Sequence, residues 1–218
     1  IGSKEKKEKI FYQLTFINYF VYSICTIALV VLINPFIELW IGKEYVMNIS
    51  IPIALSVSFF INGLRNPGYV YRITLGLFKK GRYTPYIGAL SNILLSIVLC
   101  QLYGVVGIFI ATSIAQLVSY SWIDPYLIHK YEFNTPVTKY FKEFLKYITL
   151  FTILLTITYI VSNIVPCCNV ISFILKGIIS LTIPTIMNII IFRKTENYQE
   201  LKEKVISNLI SKKQKSRS

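Results

Sequence analysis

The sequence predicts an all-α, polytopic membrane protein with six transmembrane helices, on the grounds of its composition and its hydropathy pattern. Apolar residue types occupy 54% of the 218 positions and charged types only 15%, which is too apolar for a soluble domain with a polar surface of its own. Six apolar stretches reach the roughly 20 helical residues needed to cross a hydrocarbon layer of about 30 Å. They lie at about 10–36, 51–78, 84–103, 105–128, 147–165 and 170–192.

Basic residues are concentrated in alternate connections between these spans. Of the 23 lysines and arginines, 19 lie in the leader, the even-numbered connections and the tail, whereas the odd-numbered connections hold Lys43 alone. The positive-inside rule therefore places both termini in the cytoplasm. We predict a cytoplasmic leader at 1–9, a six-helix transmembrane domain at 10–193 and a cytoplasmic basic tail at 194–218. The formal charge of +13 follows from this topology, so the lipid bilayer, and not nucleic acid, is the predicted partner.

Proline and glycine predict where the first span ends and where the second span bends. The first span is predicted to end in the stretch 34–42, because proline lacks the N–H group that a helix interior uses and Gly42 follows in the outward connection. The second span is less regular, since Pro67 and Gly68 lie inside it and predict a kink. Such a break either lines a substrate site, as broken helices do in transporters, or is a purely architectural bend. The sequence leaves both interpretations open.

The third and fourth spans are predicted to form an antiparallel hairpin. Pro85 suits the first turn of the third span, and the pair 103–104 leaves room only for a tight turn before the fourth span begins. Gly107, Ala111 and Ala115 then recur every four residues. This spacing predicts a small-residue face that lets a neighbouring helix approach closely.

The fifth and sixth spans are predicted from the length and hydropathy of their apolar stretches alone. Lys176 lies inside the outer edge of the sixth span, and we expect its ammonium to snorkel toward the interface. Cys167 and Cys168 are neighbours in the connection between these two spans. An adjacent pair matches no metal-ligand spacing, so no function is assigned to it.

A line of polar residues runs through the second span. Arg65 and Arg72 are seven residues apart, almost two helical turns, so they leave the same face about 10 Å apart along the axis. An arginine at the bilayer centre costs about 2.5–3.5 kcal/mol, and such residues usually face a bundle interior or a wet cavity. We therefore predict that this line faces inward. Its other members, at steps of three and four, are Ser58, Asn62 and Tyr69.

The sequence shows none of the residue sets that catalysis usually requires. His129 is the single histidine, and no paired carboxylates, Ser/His/Asp set, metal cluster or glycine-rich phosphate loop is visible. We predict that the chain is not an enzyme and needs no cofactor or metal. Asp124 lies near the cytoplasmic end of the fourth span, and we expect it to be hydrated or paired with a base such as Lys130.

Several short motifs follow one another through residues 1–147. They are Leu39-Trp40-Ile41-Gly42-Lys43-Glu44-Tyr45 after Asn34-Pro35-Phe36, then Gly76-Leu77-Phe78 with Gly81-Arg82-Tyr83-Thr84-Pro85, Asn92 with Ser96, Gly104-Val105-Val106-Gly107, and Ala111-Thr112. In order and spacing this set closely resembles the C-terminal half of bacterial polysaccharide-export flippases, the Wzx-type proteins of the multidrug/oligosaccharidyl-lipid/polysaccharide superfamily.

The resemblance implies an architecture and a cargo. The fold would be the C-terminal lobe of a two-lobe flippase in the bacterial cytoplasmic membrane, with a central cavity that opens alternately to each side. The chain starts at Ile1 without a methionine, and we expect the N-terminal lobe to be encoded upstream or supplied by a second chain. The implied partner is an anionic lipid-linked oligosaccharide, an undecaprenyl-diphosphate-linked repeat unit flipped for capsule, exopolysaccharide or O-antigen synthesis.

The predicted substrate-binding residues belong to the polar line of the second span. Guanidinium groups are planar, permanently charged, bidentate donors to phosphate oxygens. We therefore expect Arg65 and Arg72 to receive the diphosphate or an acidic sugar, and Asn62 and Tyr69 to bond sugar hydroxyls.

Two other functions remain open. A cation-coupled multidrug exporter of the same superfamily would need intramembrane carboxylates, whereas the predicted cavity residues are basic. A non-transporting membrane fragment, acting as an anchor or a partner-binding bundle, is also compatible with the sequence.

Overall fold

The computed structural model describes residues 3–166 and 169–204, and these are helical apart from short turns and connections, with no strand among them. Short 3₁₀ turns at Lys43–Tyr45 and Leu77–Lys79 and a five-residue π-helix at His129–Phe133 supplement the α-helices. The α-helices of the described ranges are α1 Lys4–Trp40, α2 Ser50–Thr74, α3 Thr84–Tyr103, α4 Val105–Val118, α5 Tyr120–Ile128, α6 Thr138–Asn163 and α7 Val170–Phe192.

Five helical segments of the described chain are long and apolar enough to cross a membrane. They are α1, α3, the continuous stretch Val105–Phe133, α6 and α7. The predicted all-helical membrane fold is confirmed to this extent. The 25-residue α2 is not among the five, because polar residues such as Asn62 and Arg65 lower its mean hydropathy. A sixth span at 51–78, and the division at 1–9, 10–193 and 194–218, stay predictions, and the predicted tail beyond 204 lies outside the described residues.

The first helix is longer than predicted at both ends. It begins at Lys4, within the predicted leader, and continues through Pro35 to Trp40. α1 thus ends within the predicted stretch 34–42, but Pro35 does not stop it, since neighbouring helices in a membrane protein can compensate for the backbone bond that proline removes. The chain turns instead at Gly42, whose φ of +126° suits glycine.

The predicted fourth span is not one regular helix. The break falls at Ser119, whose backbone angles (φ −99°, ψ −83°) separate α4 from α5. The chain then continues through α5 into the π-helix at His129–Phe133. Irregular backbone within a membrane-spanning segment is tolerated where it is buried in protein or lines a cavity.

The predicted hairpin of α3 and α4 is present, with Gly104 at a φ of +60° between the two helices. Its small-residue face is buried, since Gly107, Ala111 and Ala115 are all enclosed. A Cβ atom at Gly107 would lie 2.0 Å from the carbonyl oxygen of Leu99 on α3. The backbones of the two helices therefore touch at this point.

The aromatic core lies between α1, α2, α6 and α7. Tyr19 stacks on Tyr147 with 4.4 Å between ring centroids, and Phe60 stacks on Phe151 at 3.9 Å. The Tyr19 hydroxyl donates to Asn188 Oδ1 at 2.9 Å, which ties α7 to α1. Because Phe60 points into this core, the other face of α2 is left for α4 and α5.

Polar contacts join the helix ends nearest the N terminus. The Lys7 ammonium pairs with Glu132 of the π-helix, and Lys9 pairs with Glu196 at 3.0 Å. The Tyr71 hydroxyl near the end of α2 donates to the carbonyl oxygen of Lys7 at 3.2 Å. We call this the N-terminal end of the bundle; the α1–α2 and α6–α7 connections lie at the opposite end.

Candidate functional site

Arg72 lies in the last turn of α2, in a buried ion pair. Its side chain is 5% exposed and its Nε lies 2.9 Å from Oδ1 of Asp124, which is 1% exposed. The Arg72 Nη1 also donates to the carbonyl oxygen of Gly81 at 3.0 Å. The Nε and Oδ1 atoms are close, but their orientation is not that of a hydrogen bond. The charge of Arg72 is thus compensated inside the helix contact.

Gly68 of α2 lies at the contact between α2 and α5. A Cβ atom at Gly68 would lie 3.6 Å from Cβ of Asp124 and 3.8 Å from the ring of Pro125. The helices therefore meet at Gly68, and the arginine one turn further along reaches the carboxylate. The predicted kink at 67–68 lies inside a continuous α2, at the point where α2 meets α5.

Arg65 has a different environment. Its Nη2 donates to Asn62 Oδ1 at 2.6 Å, and its guanidinium carbon lies 4.4 Å from the ring centroid of Tyr120. Its Nε is buried without a hydrogen-bond partner. Within the described ranges no carboxylate lies within 4.0 Å of Arg65. The side chain therefore keeps its positive charge uncompensated by direct contact and retains unused donors.

A cavity of about 240 Å³ lies beside Arg65, between α2, α3, α4 and α5. Asn92 of α3 donates to Thr112 Oγ1 of α4 at 3.1 Å, which joins two of its walls. The Gln116 Oε1 is buried without a partner. The lining residues are Arg65, Gly88, Ala89, Asn92, Thr112, Ala115, Gln116 and Tyr120.

The charges of the three ionised side chains in this region do not sum to zero. The positive charges of Arg65 and Arg72 meet the single negative charge of Asp124, and Asp124 contacts Arg72. One positive charge is left over, on the guanidinium that borders the cavity. A guanidinium with free donors, flanked by amides, a hydroxyl and a phenol, is suited to bind an anion that carries additional hydroxyl groups.

The four predicted binding residues lie in different environments in the structure. Arg65 and Asn62 are bonded to each other, and Arg65 borders the cavity. Tyr69 is 41% exposed, with its ring centroid 5.7 Å from the guanidinium carbon of Arg72. Arg72, predicted to face inward with Arg65, is buried against Asp124, so its charge is compensated there while that of Arg65 is not. Binding of substrate by the four residues stays a prediction.

The expected partner of Asp124 was also wrong in part. Asp124 pairs with Arg72, whereas the Lys130 ammonium donates to the Tyr126 hydroxyl at 3.1 Å. Two cavity residues from the fourth predicted span, Thr112 and Gln116, had a signal in the sequence, since they recur at helical spacing. Asn92 had a signal of the same kind, since Ser96 follows it at helical spacing, but this spacing does not indicate which neighbouring helix Asn92 faces.

No family model matches the chain, and no curated protein or solved structure matches it either.

Proposed function

We propose that this chain is part of a membrane flippase that moves undecaprenyl-diphosphate-linked oligosaccharides across the bacterial cytoplasmic membrane for surface-polysaccharide synthesis. It would form the C-terminal lobe of a two-lobe transporter, with both termini in the cytoplasm and the N-terminal lobe supplied by further chain or by a second protein. The observation that carries the proposal is Arg65, a guanidinium without a carboxylate partner beside a cavity that also presents the amide groups of Asn92 and Gln116.

The cargo chemistry fits this position. A lipid diphosphate must take its negative charge across a layer of low dielectric constant, where a fixed positive group stabilises it far more than it would in water. Arg65 offers fork-shaped donors to phosphate oxygens. The contact with Asn62 and the Tyr120 ring fixes the plane of this fork before the cargo arrives. Sugar hydroxyls can bond the amide groups of Asn92 and Gln116, which line the same cavity.

Arg72 has a supporting role in this proposal. Its ion pair with Asp124 holds α2 against α5, and the cavity is built from residues of both helices. Arg72 therefore positions Arg65 and Tyr120 relative to each other, while Arg65 contacts the diphosphate. Tyr69, exposed on the same helix, remains available to a sugar that extends along α2.

The charge arrangement favours a flippase over a cation-coupled multidrug exporter. An exporter of cations needs a carboxylate that can accept the cation or a coupling proton. The acid buried beside the cavity helices, Asp124, is already in contact with Arg72. An uncompensated arginine is costly to maintain in a membrane, and a non-transporting fragment would not need one beside a cavity.

Replacing Arg65 with glutamine in the full-length gene product should reduce polymer export by roughly 10-fold or more, because a charge-assisted bond to the cargo is lost. The matched control is Arg82→Gln, which removes the same group from an exposed connection and should leave export unchanged. Surface polysaccharide is quantified at equal membrane expression, together with undecaprenyl-linked intermediates. Undiminished export in the Arg65 variant removes Arg65 from the mechanism.

A further inference from the structure

A second cavity lies at the N-terminal end of the bundle, where the first turns of α1 and α6 meet the end of α7. Its volume is about 490 Å³, and ligand pockets in proteins commonly have volumes of about 300–1,000 Å³. The rings of Phe16 and Phe192 form an apolar part of its wall. The charged residues that line it are Glu5, Glu8, Glu143 and Glu196 together with Lys9, Lys139 and Lys146.

Glu143 brings an unsatisfied carboxylate oxygen to this cavity. Its Oε2 is buried, and no group in the described part of the chain donates a hydrogen bond to it. The Tyr147 hydroxyl approaches the carboxylate, yet Oε2 keeps no donor. Burying a charged oxygen without a hydrogen-bond donor costs free energy. A ligand that enters the cavity with an N–H group can supply this donor.

Two ammonium groups flank Glu143 on α6. Lys139 lies four residues before it and Lys146 three residues after it, so positive and negative charges alternate along one face of the helix. None of the ion pairs among the described residues includes either lysine. The Lys139 ammonium lies 4.5 Å from the ring centroid of Tyr12, and the Lys146 ammonium 5.1 Å from that of Phe192. These ring contacts hold both ammoniums at the cavity and leave their N–H groups for an acceptor.

An apolar groove adjoins this cavity. Phe16 lines both spaces, so the two are neighbours. The groove has a volume of about 530 Å³ and follows α1 from Phe16 to Val21, away from the N-terminal end. A polar cavity next to an apolar groove, at the end of membrane-spanning helices, is suited to an amphiphile with its headgroup in the cavity and an acyl chain in the groove. The groove is lined by Phe16, Ile17, Phe20, Val21, Tyr198, Leu201 and Lys202.

The charges of the cavity favour a zwitterionic headgroup. Four carboxylates and three ammoniums line it, so the surplus negative charge disfavours a headgroup that is only anionic. A headgroup that is only cationic would meet the two ammoniums on either side of Glu143. A headgroup with both a phosphate and a protonated amine complements the alternating charges of α6.

We propose that this cavity binds the headgroup of an ethanolamine phospholipid, with one acyl chain of the lipid in the adjoining groove. The primary ammonium of the headgroup donates to Oε2 of Glu143, and the phosphate oxygens accept from Lys139 and Lys146. A choline headgroup has no N–H group to donate, and a glycerol headgroup has no positive charge. The site shares no residue with the cavity at Arg65, so this inference does not rest on the proposed transport function.

The test measures which phospholipid the purified 218-residue chain retains. The chain is placed in nanodiscs with equal amounts of phosphatidylethanolamine, phosphatidylcholine and phosphatidylglycerol, and the lipids that stay bound after transfer to detergent are counted by native mass spectrometry. Phosphatidylethanolamine should be retained roughly 10-fold or more over phosphatidylcholine, because only its ammonium donates a charge-assisted hydrogen bond. Equal retention of the three lipids, or a preference for either of the other two, overturns the proposal.

Three variants make the result specific to the cavity. Glu143→Gln keeps the shape of the side chain and should abolish the preference for phosphatidylethanolamine over phosphatidylcholine. Lys139→Met combined with Lys146→Met should lower retention of phosphatidylethanolamine by roughly 10-fold or more, because the bonds to its phosphate are lost. Glu44→Gln removes a carboxylate from an exposed connection at the opposite end and should leave retention unchanged. A preference that survives Glu143→Gln, or that Glu44→Gln reduces equally, contradicts the proposal, as does unchanged retention in the double lysine variant.

The melting temperature in detergent micelles provides a second readout. Added phosphatidylethanolamine should raise the melting temperature of the unchanged chain more than that of Glu143→Gln, since a ligand stabilises the folded state to which it binds. Cooperative melting of Glu143→Gln without lipid shows that this variant is folded, and equal shifts for the two chains overturn the proposal. Glycerophosphoethanolamine carries the same headgroup without acyl chains and should give a much smaller shift at the same concentration. An equally large shift with this soluble compound overturns the assignment of a lipid to the cavity and groove.

Discussion

Replacing Asp124 with alanine should lower the free energy of unfolding by about 3–5 kcal/mol, the usual consequence of leaving one member of a buried ion pair without its partner. Arg72 would then lie 5% exposed, with the Gly81 carbonyl oxygen as its remaining acceptor. The measurement is equilibrium unfolding of the purified chain in mixed detergent micelles. Glu203→Ala removes a carboxylate from an exposed position and should change the unfolding free energy by less than about 0.5 kcal/mol.

A double variant separates loss of the pair from loss of one charge. In Arg72→Met combined with Asp124→Leu, both charges are replaced by apolar groups, and most of the lost stability should return, as it does for other buried pairs. The cycle of Arg72→Met, Asp124→Leu and the double variant then gives the coupling between the two side chains directly. Exposed ion pairs contribute no more than about 1 kcal/mol to the free energy of unfolding. A loss smaller than this for Asp124→Ala would therefore indicate a solvent-exposed pair and would contradict the buried contact between α2 and α5.

Adding one methyl group at Gly107 should destabilise the protein by about 1–3 kcal/mol, the typical cost of overpacking a close contact. The new Cβ atom would lie 2.0 Å from the Leu99 carbonyl oxygen and 2.4 Å from its carbonyl carbon. These are backbone atoms of α3 and cannot rotate away, so the two helices of the hairpin must separate. Gly107→Ala is measured in the same micelles by thermal unfolding.

Gly177→Ala is the matched control for this substitution. Gly177 also lies inside a helix, but no atom lies within 4 Å of the position that a Cβ would take. Alanine should stabilise the protein there by up to about 1 kcal/mol through helix propensity alone. The two alanine variants therefore have opposite expected signs. A stabilising effect of alanine at both positions would show that α3 and α4 do not touch at Gly107.

Local patterns in the sequence predicted much of the fold. Long apolar stretches identified the helices, and Gly104 with Gly107 and Ala111 identified the hairpin and its buried face. The same patterns failed where neighbouring helices decide the outcome. Pro35 does not end α1, and Ser119 interrupts a stretch of the chain that hydropathy predicts as one span. Backbone irregularities of this kind depend on compensating contacts that periodicity does not record.

The candidate site was predicted only in part, for a related reason. Helical spacing placed Arg65 and Arg72 on one face, but whether each charge is free depends on a residue in another helix. Asp124 is 52 positions after Arg72 in the chain, and the two residues meet because α2 packs against α5 around Gly68. One clue was available in the sequence, because a lone acid near two intramembrane arginines is expected to pair with one of them. Lys130, closer along the chain, was the wrong choice.

The charge of Arg65 is tested most directly by an equilibrium titration of undecaprenyl diphosphate into the purified chain in detergent. If Arg65 is an uncompensated cation beside the cavity, Arg65→Gln should raise the dissociation constant by roughly 10- to 100-fold, the value of a charge-assisted hydrogen bond. Arg82→Gln, at an exposed position, should leave it within about 2-fold, since an exposed charge contributes little. Equal dissociation constants for the unchanged chain and Arg65→Gln would contradict an anion site at Arg65.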